Sequence, residues 1–327
     1  MTTYTDQYSA MGSPFAVRVD LLCADKTLEA QVRQLFSRLR MATETMEQCL
    51  SRFRRDSELT QLNARVGEAV RISPLLSEVL KKTEVAYRIS GRMFDPRVIR
   101  VLQTIGYAGA LDSRLIAEAG EDGADWIVWH EDDVVEIAAP IDLGGIGKGY
   151  TVDFLAKQVE QTFSQEELAG VLVNAGGDVR LYGRQDSGEP WTVGVENPFS
   201  PTDLFAAIRV ADESVAVCTS SKWKRKWRHG DREVHHLIDP QSGQPASTSV
   251  MSVTALASEA ALAEVLTKAV FINGGRAPAE FPEGERYLVI NEARELLCTS
   301  ALARELVWVT PAATGVQVIA DERIGTD

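Results

Sequence analysis

The chain has few of the residues that usually build metal centres or disulfide frameworks. Its 327 residues include four cysteines and four histidines. The cysteines lie far apart, and neither a C-x-x-C pair nor zinc-finger spacing occurs. This spacing argues against a zinc finger and a disulfide-bonded scaffold, so we expect reduced thiols that are mostly buried.

Long apolar runs and an excess of positive charge are also missing. No apolar stretch reaches the about 18 residues that a transmembrane helix needs, and the first residues, MTTYTDQYSA, lack a signal-peptide pattern. Acidic residues outnumber basic ones by 47 to 34, which gives a formal charge of −13. Nucleic acids and anionic membranes need basic surfaces, so neither is expected as a partner. We expect a cytoplasmic protein without membrane insertion, although prior removal of a signal peptide would leave the same sequence.

Helical and strand patterns are interleaved along the chain. Apolar residues recur at helical spacing in residues 27–49, 74–89, 152–163 and 259–271, and Ser57 can cap a further short helix. Strands are predicted at residues 11–22, 170–174, 178–182, 191–195, 204–210, 214–217 and 250–257, with hairpins over 125–138, 222–238 and 286–299. Because many strand pairs are joined by hairpins, the fold class is α+β rather than a doubly wound parallel sheet. No linker divides the chain, and we expect a single domain over residues 1–327.

The strongest candidate site is the glycine-rich segment DLGGIGKGYTVD at residues 142–153. An apolar entry leads through four closely spaced glycines into a predicted helix. Glycines let a ligand approach the backbone, a helix N-terminus offers free N–H groups, and Lys148 adds positive charge for a phosphate. The segment matches neither G-x-G-x-x-G nor the Walker loop. A simple strand-to-helix turn with a solvated lysine is therefore the alternative.

Three further segments place polar residues at the edges of predicted strands. NAGGD at residues 174–178 joins two strands, and TSS at 219–221 follows another and leads into the basic run KWKRKWR. That run suits an anionic ligand or an acidic target segment, or it is a solvated strand face. The last segment begins with His235 and His236, of which only one can reach a given site because adjacent strand side chains point to opposite faces. An ordinary glycine turn and a structural histidine are the alternatives.

Taken together, these segments resemble the ApbE family of FAD:protein FMN transferases over nearly the whole chain. The matching segments are MGSPF from Met11, SRFRRDSELTQLN from Ser51, FDPRV from Phe94, DLGGIGKGYTVD from Asp142, VNAGGDVRLYG from Val173, CTSS from Cys218, HLIDPQSGQP from His236 and SVTALASEAALAEVLTKAVFINGG from Ser252. The resemblance implies an ApbE-like (T-fold-like) α+β fold, with mixed, largely antiparallel sheets, packed helices and a long FAD pocket. It also implies that FMN is transferred from FAD to a threonine or serine of a target flavoprotein, with release of AMP.

The same resemblance implies roles for particular residues. The FAD-binding positions are Met11, Gly144, Gly145, Ile146, Gly147, Lys148, Asp153, Asn174, Gly176, Gly177, Asp178, Thr219, Ser220, Ser221 and His236. His236 is the candidate general base for the acceptor hydroxyl, because an imidazole titrates near neutrality, and Lys148 is the second catalytic candidate. The carbonyl of Gly147 and the side chain of Glu264 fall on positions that bind Mg²⁺.

The sequence departs from the family pattern where the metal would bind. The family usually has A-D-A-L-A-T-A in the penultimate helix, with aspartate and threonine as ligands, whereas this chain has Glu264 and Lys268 at those positions. Four residues apart, the two side chains share a helix face and can pair, and an ammonium there would repel Mg²⁺. Two smaller departures are Ser221 in place of the glycine of T-S-G and Arg97 in place of the threonine after F-D-P. Alternatively, Glu264 still binds a metal and Lys268 points aside.

Three functions follow from these residues. The first is an FMN transferase, either metal-dependent or with Lys268 supplying part of the metal's charge. The second is an FAD-binding carrier or sensor that has lost transfer, and the third is an FAD pyrophosphatase that gives FMN and AMP. A dehydrogenase is disfavoured because no Rossmann fingerprint is present.

Overall fold

A computed structural model describes residues 1–23, 25–107, 125–282 and 284–319. The helices are α1 Lys26–Leu50, α2 Glu58–Asn63, α3 Pro74–Ile89, α4 Ile99–Thr104, α5 Gly147–Thr162, α6 Ala260–Ile272 and α7 Ser300–Ala303, with a 3₁₀ turn at Pro96–Val98. The strands are β1 Thr2–Ala10, β2 Ser13–Leu21, β3 Val70–Arg71, β4 Ile127–Glu131, β5 Val134–Ile137, β6 Leu168–Ala175, β7 Asp178–Gly183, β8 Trp191–Asn197, β9 Ser200–Val210, β10 Ser214–Ser221, β11 Lys226–His229, β12 Arg232–His235, β13 Ile238–Asp239, β14 Gln244–Pro245, β15 Val250–Ala257, β16 Arg286–Asn291, β17 Glu295–Thr299, β18 Leu306–Val309 and β19 Gly315–Ile319.

A nine-stranded sheet forms the centre of the fold. Its strand order is β1-β2-β6-β7-β10-β15-β16-β17-β19, and every neighbouring pair is antiparallel except β17 and β19. Two three-stranded sheets (β18-β9-β8 and β3-β5-β4) and two short hairpins accompany it. This arrangement confirms the predicted α+β class with largely antiparallel sheets. The prediction of a single domain stays a prediction.

The central sheet is covered on both faces because residues alternate along its strands. On β10, Ala216 and Cys218 pack with α1, α5 and α6, whereas Val215 and Val217 pack with β8 and β9 of a three-stranded sheet. Successive side chains of a strand point to opposite faces, so one apolar strand can serve both layers. Helices α5 and α6 are thereby held side by side on one face, and the site develops around them.

Local capping explains where several helices begin. Asp25 accepts hydrogen bonds from the N–H groups of Thr27 and Leu28, and the hydroxyls of Ser57 and Ser73 cap α2 and α3 in the same way. Such caps satisfy N–H groups that have no partner inside the helix. The predicted helices at 27–49, 74–89 and 259–271, and the short helix after Ser57, are confirmed to within a residue at each end.

Several elements, among them α4, α7, β18 and β19, were not predicted, and three further differences concern the first two strands and α5. The segment before Met11 is a strand, β1, whose side chains alternate between exposed and half-buried and therefore carry no strong apolar signal. The predicted strand at 11–22 begins only at Ser13, because Met11 and Gly12 form a turn with φ values of 50° and 67°. Helix α5 begins at Gly147 instead of residue 152, so the glycine-rich segment itself supplies the first helical turn.

The expected thiol state is confirmed. All four cysteines are free, and Cys49, Cys218 and Cys298 are buried while Cys23 is exposed. Within the described ranges, none of the helices combines the length and the apolar character required to cross a lipid bilayer.

Candidate functional site

One cleft collects most of the residues that the sequence singles out. It lies between the N-terminal end of α5, the middle of α6, the β6–β7 turn, the end of β10 and the segment before β13, and it encloses about 1120 Å³ of open space, including its mouth. Its lining includes Gly144, Gly145, Lys148, Gly176, Asp178, Thr219, Ser220, Ser221, His236, Glu264 and Lys268. The fold therefore brings four separate sequence segments and α6 to one place.

Lys148 and Glu264 join the two helices at the wall of the cleft. The Lys148 ammonium, in the first turn of α5, donates to Oε1 of Glu264 at 2.8 Å and also to the carboxylate of Asp178. Oε2 of Glu264 accepts the backbone N–H of Gly149 at 2.9 Å. Glu264 is only 2% exposed, so these bonds compensate for the loss of its hydration.

Lys268 approaches the same carboxylate from the next turn of α6. Its Nζ donates to Oε1 of Glu264 and to the backbone carbonyl of Glu264, both at 3.2 Å. The predicted pairing of Glu264 with Lys268 on one helix face is confirmed. The aliphatic part of Lys268 lies over Gly145, where an added Cβ would be 3.1 Å from its Cε. A glycine at this position therefore leaves space for the lysine.

The charges in this cluster hold each other in the ionised state. Burial by itself would raise the pKa of Glu264, but the ammonium groups of Lys148 and Lys268 hold that pKa well below its usual value. Burial disfavours the charged form of Lys148, yet Asp178 and Glu264 raise its pKa above the usual value. The cluster is consequently two cations and two anions with a formal sum of zero.

The positions that the resemblance assigns to a metal do not suit a divalent cation as they are placed. Mg²⁺ needs oxygen ligands at about 2.0–2.1 Å in a near-octahedral arrangement. Oε1 of Glu264 already accepts from two ammonium groups, and the carbonyl oxygen of Gly147 accepts the Thr151 hydroxyl at 2.8 Å. A dication about 4 Å from one ammonium would be repelled by about 8 kcal/mol at an effective dielectric of about 20. Across the described ranges, no three His, Cys, Asp or Glu residues are grouped as a metal site.

The side chains of His235 and His236 point in different directions, as expected for adjacent residues. His235 is directed into the protein, where its Nε2 lies 3.2 Å from the Ala246 carbonyl and its ring meets Phe271 edge-on. His236 lines the cleft, and its Nδ1 lies 3.4 Å from the carbonyl oxygen of Arg225. A carbonyl can only accept, so Nδ1 carries the proton in this contact and Nε2 keeps a free lone pair. Among these two residues, only His236 is placed to act as a base on a ligand.

The pKa of His236 is strongly perturbed by its surroundings. Burial lowers this pKa to about 3, assisted by the positive charges of Arg225 and Lys268. The imidazole is therefore neutral at pH 7. Negative charge brought into the cleft would offset both cations and raise the pKa toward its ordinary value.

The hydroxyl groups at the end of β10 are anchored to neighbouring elements. Thr219 shares a 2.8 Å hydrogen bond with Thr254, and Ser220 shares one of 2.7 Å with Thr267. Thr267 also donates to the carbonyl of Glu264 at 2.8 Å and is fully buried, so it faces β10 and not the cleft. It therefore cannot replace the threonine that the family has at the position of Lys268.

Several predicted binding residues support the cleft from outside its lining. These are Met11, Ile146, Gly147, Asp153, Asn174 and Gly177. The carboxylate of Asp153 caps α6 by accepting the N–H groups of Ala260 at 2.7 Å and Ala261 at 3.0 Å. Oδ1 of Asn174 accepts the N–H of Gly177 at 2.8 Å and closes the β6–β7 turn. In the structure these residues position others, and their predicted contact with FAD stays a prediction.

Met11, Ile146 and Gly147 lie where α5 begins. The Met11 sulfur accepts the Thr151 hydroxyl at 3.5 Å, while Ile146 and Gly147 are buried. The glycine-rich segment thus divides in two: Gly144 and Gly145 line the cleft, and the next two residues pack beneath it. Their predicted FAD contacts likewise stay predictions.

Arg52, Phe53, Tyr107 and Arg225 form an aromatic and basic rim on the cleft. The sequence patterns did not predict this rim. The buried Arg52 donates to Asp142 at 2.9 Å, and its guanidinium lies 4.2 Å from the centroid of Phe53 and 5.2 Å from that of Tyr107. Arg225 donates to the Tyr107 hydroxyl at 3.4 Å on the same side. The segment SRFRRDSELTQLN resembles a motif of the family, but Arg52 contacts Asp142 and Tyr107, which lie 90 and 55 positions further along the chain. Contacts between such distant positions leave no local sequence pattern.

The fold and the cleft define an α+β protein with a cleft lined by lysines and glycines. A sequence profile of the ApbE family matches residues 11–288, and the chain belongs to this family. It is 24% identical to an FAD:protein FMN transferase of Klebsiella pneumoniae over 95% of this chain and 96% of the relative. A second relative with the same name, from Treponema pallidum, is 28% identical over 83% of this chain and 79% of the relative.

Solved structures of the family share the fold. The ApbE protein of Thermotoga maritima superposes with a TM-score of 0.79 at 23% identity, covering 94% of this chain and all of the other. The flavin transferase ApbE of Vibrio cholerae gives a TM-score of 0.73 at 20% identity, covering 93% and 99% of the two chains.

Proposed function

We propose that this protein is an FAD:protein FMN transferase, which attaches FMN from FAD to a threonine or serine of a target flavoprotein and releases AMP. Family membership and the names of the relatives support the proposal. The observation that carries it is the cleft itself, where two lysines, glycine backbone and a neutral histidine line one space. Transfer of a phosphoryl group needs these components, namely a clamp for the diphosphate and a base near the attacking oxygen.

The reaction exchanges the phosphoanhydride linkage of FAD for a phosphate ester linkage to the acceptor. The acceptor hydroxyl oxygen attacks the phosphorus of the FMN half, the bond to the bridging oxygen of the diphosphate breaks, and AMP leaves with that oxygen. The hydroxyl proton is taken by Nε2 of His236. Lys148 and Lys268 lie where they can donate to the diphosphate oxygens, whose charge changes during transfer.

Bound FAD would raise the low pKa of His236. Without ligand, burial and the charges of Arg225 and Lys268 hold this pKa near 3, which makes the imidazole a weak base. A bound diphosphate brings two negative charges to the same cations and raises the pKa of the imidazole. His236 thus becomes an effective base only when FAD occupies the cleft.

Magnesium is the part of the family's chemistry that these residues do not support. The Mg²⁺ role implied by the resemblance needs Glu264 and the Gly147 carbonyl as ligands, and both are engaged in other hydrogen bonds. No step above uses a metal. A cytoplasmic location also stays a prediction from the sequence, which fractionation of cells expressing the natural gene would test.

The test is covalent flavin transfer. Purified protein, FAD and an acceptor flavoprotein domain with an exposed threonine are incubated, and the denatured mixture is analysed for protein-bound flavin and for AMP. We expect equal amounts of both products. FAD that stays intact under every condition would contradict the proposal, and AMP released without an acceptor would identify a pyrophosphatase.

Two histidine variants separate catalysis from folding. His236→Asn should lower the transfer rate by about 10²- to 10⁴-fold, the usual contribution of a general base, while FAD still binds. His130→Asn is the matched control, because His130 is 42% exposed and is not among the residues that line the cleft. Equal rates in the two variants would exclude His236 as the base.

A further inference from the structure

We propose that the Lys268 ammonium takes the place of a divalent cation in this protein, so that FAD binds with its diphosphate on Lys148 and Lys268 and without a metal. The inference rests on the proposed function only in taking FAD as the ligand. Three features of the cleft carry it: the donor capacity that the two lysines have left, the engagement of both carboxylate oxygens of Glu264, and the packing of Lys268 along Gly145.

Both ammonium groups have donor capacity left for a ligand. An ammonium has three N–H donors. Lys148 uses two of them on Asp178 and Glu264, and Lys268 uses two on the carboxylate and the carbonyl of Glu264. Both side chains line the cleft, with 15% and 16% of their surface exposed. The third N–H of each is the one available to a phosphate oxygen.

The Glu264 carboxylate positions the ammonium groups of these two lysines. The longer side chain of glutamate lets one carboxylate reach Lys148 with Oε1 and the N–H of Gly149 with Oε2. Lys268 then binds Oε1 from one turn further along α6. A metal at Oε1 would compete with both ammonium groups, and their positive charges would repel it.

The position of Lys268 is set by packing as well as by charge. Its Cδ and Cε run across Gly145, where a Cβ would lie 3.3 and 3.1 Å from them, and Phe94 closes the same space. The lysine therefore lies along the cleft wall, between the glycine-rich segment and α6. Lys268, Lys148 and Gly144 line the same cleft, and it is there that we place the diphosphate.

The experiment is an FAD titration, followed by the quenching of flavin fluorescence, in excess EDTA and in millimolar MgCl₂. For the wild-type protein we expect dissociation constants that agree within about twofold, since no coupling between metal and FAD is present. A wild-type affinity that increases about tenfold or more with MgCl₂ would overturn the inference and leave the transferase proposal intact. Absence of FAD binding under both conditions would instead contradict the transferase proposal itself.

Variants test the lysine directly. Lys268→Met should weaken FAD binding about 10- to 100-fold in both buffers, the usual effect of losing one charge-assisted hydrogen bond. Lys157→Met, an exposed lysine of α5, is the matched control and should bind FAD as the wild type does. An unchanged affinity in Lys268→Met would refute the role of its ammonium.

A double variant tests the exchange in reverse. Glu264→Asp with Lys268→Thr restores the acidic and hydroxyl pair that the family pattern has, and its FAD affinity should become dependent on MgCl₂. Mn²⁺ electron paramagnetic resonance gives an independent readout, with bound Mn²⁺ expected in the double variant plus FAD and none in the wild type plus FAD. Specific Mn²⁺ binding by the wild type would overturn the inference even if the double variant does not fold.

Discussion

Replacing Glu264 by glutamine should destabilise the protein strongly, although the two side chains have nearly the same size. The carboxylate is 2% exposed and binds both Lys148 and Lys268. In Glu264→Gln, Lys148 keeps Asp178 as counter-charge, but Lys268 loses its ion pair with the Glu264 carboxylate in a partly buried position. The amide also presents an NH₂ donor toward the ammonium and N–H groups that donate to Glu264 in the wild type.

The size of the effect follows from the burial of the group. Removing one partner of a buried ion pair usually costs about 3–5 kcal/mol. Both ammonium groups keep some exposure, which allows water to solvate them in part, so we expect the lower end, about 3 kcal/mol. Urea unfolding followed by tryptophan fluorescence measures this difference in the free energy of unfolding.

A matched substitution shows what an ordinary ion pair contributes. Glu68 pairs with Arg65 at 2.8 Å, with 58% and 50% of the two side chains exposed, and Glu68→Gln should cost less than about 1 kcal/mol. Adding Lys268→Met to Glu264→Gln should recover part of the lost stability, because it removes an uncompensated charge. A loss below about 1 kcal/mol in Glu264→Gln, equal to that of Glu68→Gln, would refute the view that Glu264 holds the cluster together.

Three further substitutions test the supports of the cleft. Gly149→Ala should lower the free energy of unfolding by about 1–3 kcal/mol, because the new Cβ would lie 2.6 Å from the backbone of α6, whereas Gly315→Ala, with open space around it, should change little. Because the pKa of His236 is about 3 in the folded protein, the unfolded chain binds a proton at this residue more readily, and the stability that the neutral imidazole contributes decreases as pH falls from 6.5 to about 3. Urea midpoints should therefore vary less steeply with pH in His236→Asn than in His130→Asn. Equal slopes would contradict the low pKa of His236. Burial raises the pKa of Asp153 from 3.8 to about 6, so the folded protein binds a proton at this residue more readily than the unfolded chain does. The free energy of unfolding of the wild type, relative to that of Asp153→Asn, should therefore fall as pH rises from 3.8 to about 6. If this difference increases with pH instead, the carboxylate is better stabilised than its burial implies.

Local patterns in the sequence predicted much of the fold because the interactions that start and end elements are local. The caps of Ser57 and Asp25 act within three residues, and the Glu264–Lys268 pair spans one helical turn. Strand β1 was missed because Tyr4 and Tyr8 are only half-buried among polar neighbours, which leaves a weak alternation.

The centre of the site could be predicted only in part. The residues of the cleft were recognised through the family's motifs, but the bond between Lys148 and Glu264 joins positions 116 residues apart. It depends on how closely α5 passes α6, which is determined by Gly149 and by the packing of both helices on the central sheet. No spacing rule along one segment contains that information.

The close passage of α5 and α6 has a consequence for ligand binding. Asp153 of α5 caps α6, Glu264 of α6 accepts the N–H of Gly149 in α5, and the missing side chain of Gly149 lets the two backbones touch. The two helices therefore form one rigid support, and the separation of the lysine ammonium groups is set before any ligand arrives. A ligand whose phosphate oxygens match this separation therefore binds at little cost in conformational entropy of the protein. The spacing between two helices thus fixes in advance the pattern of positive charge that an anionic ligand meets.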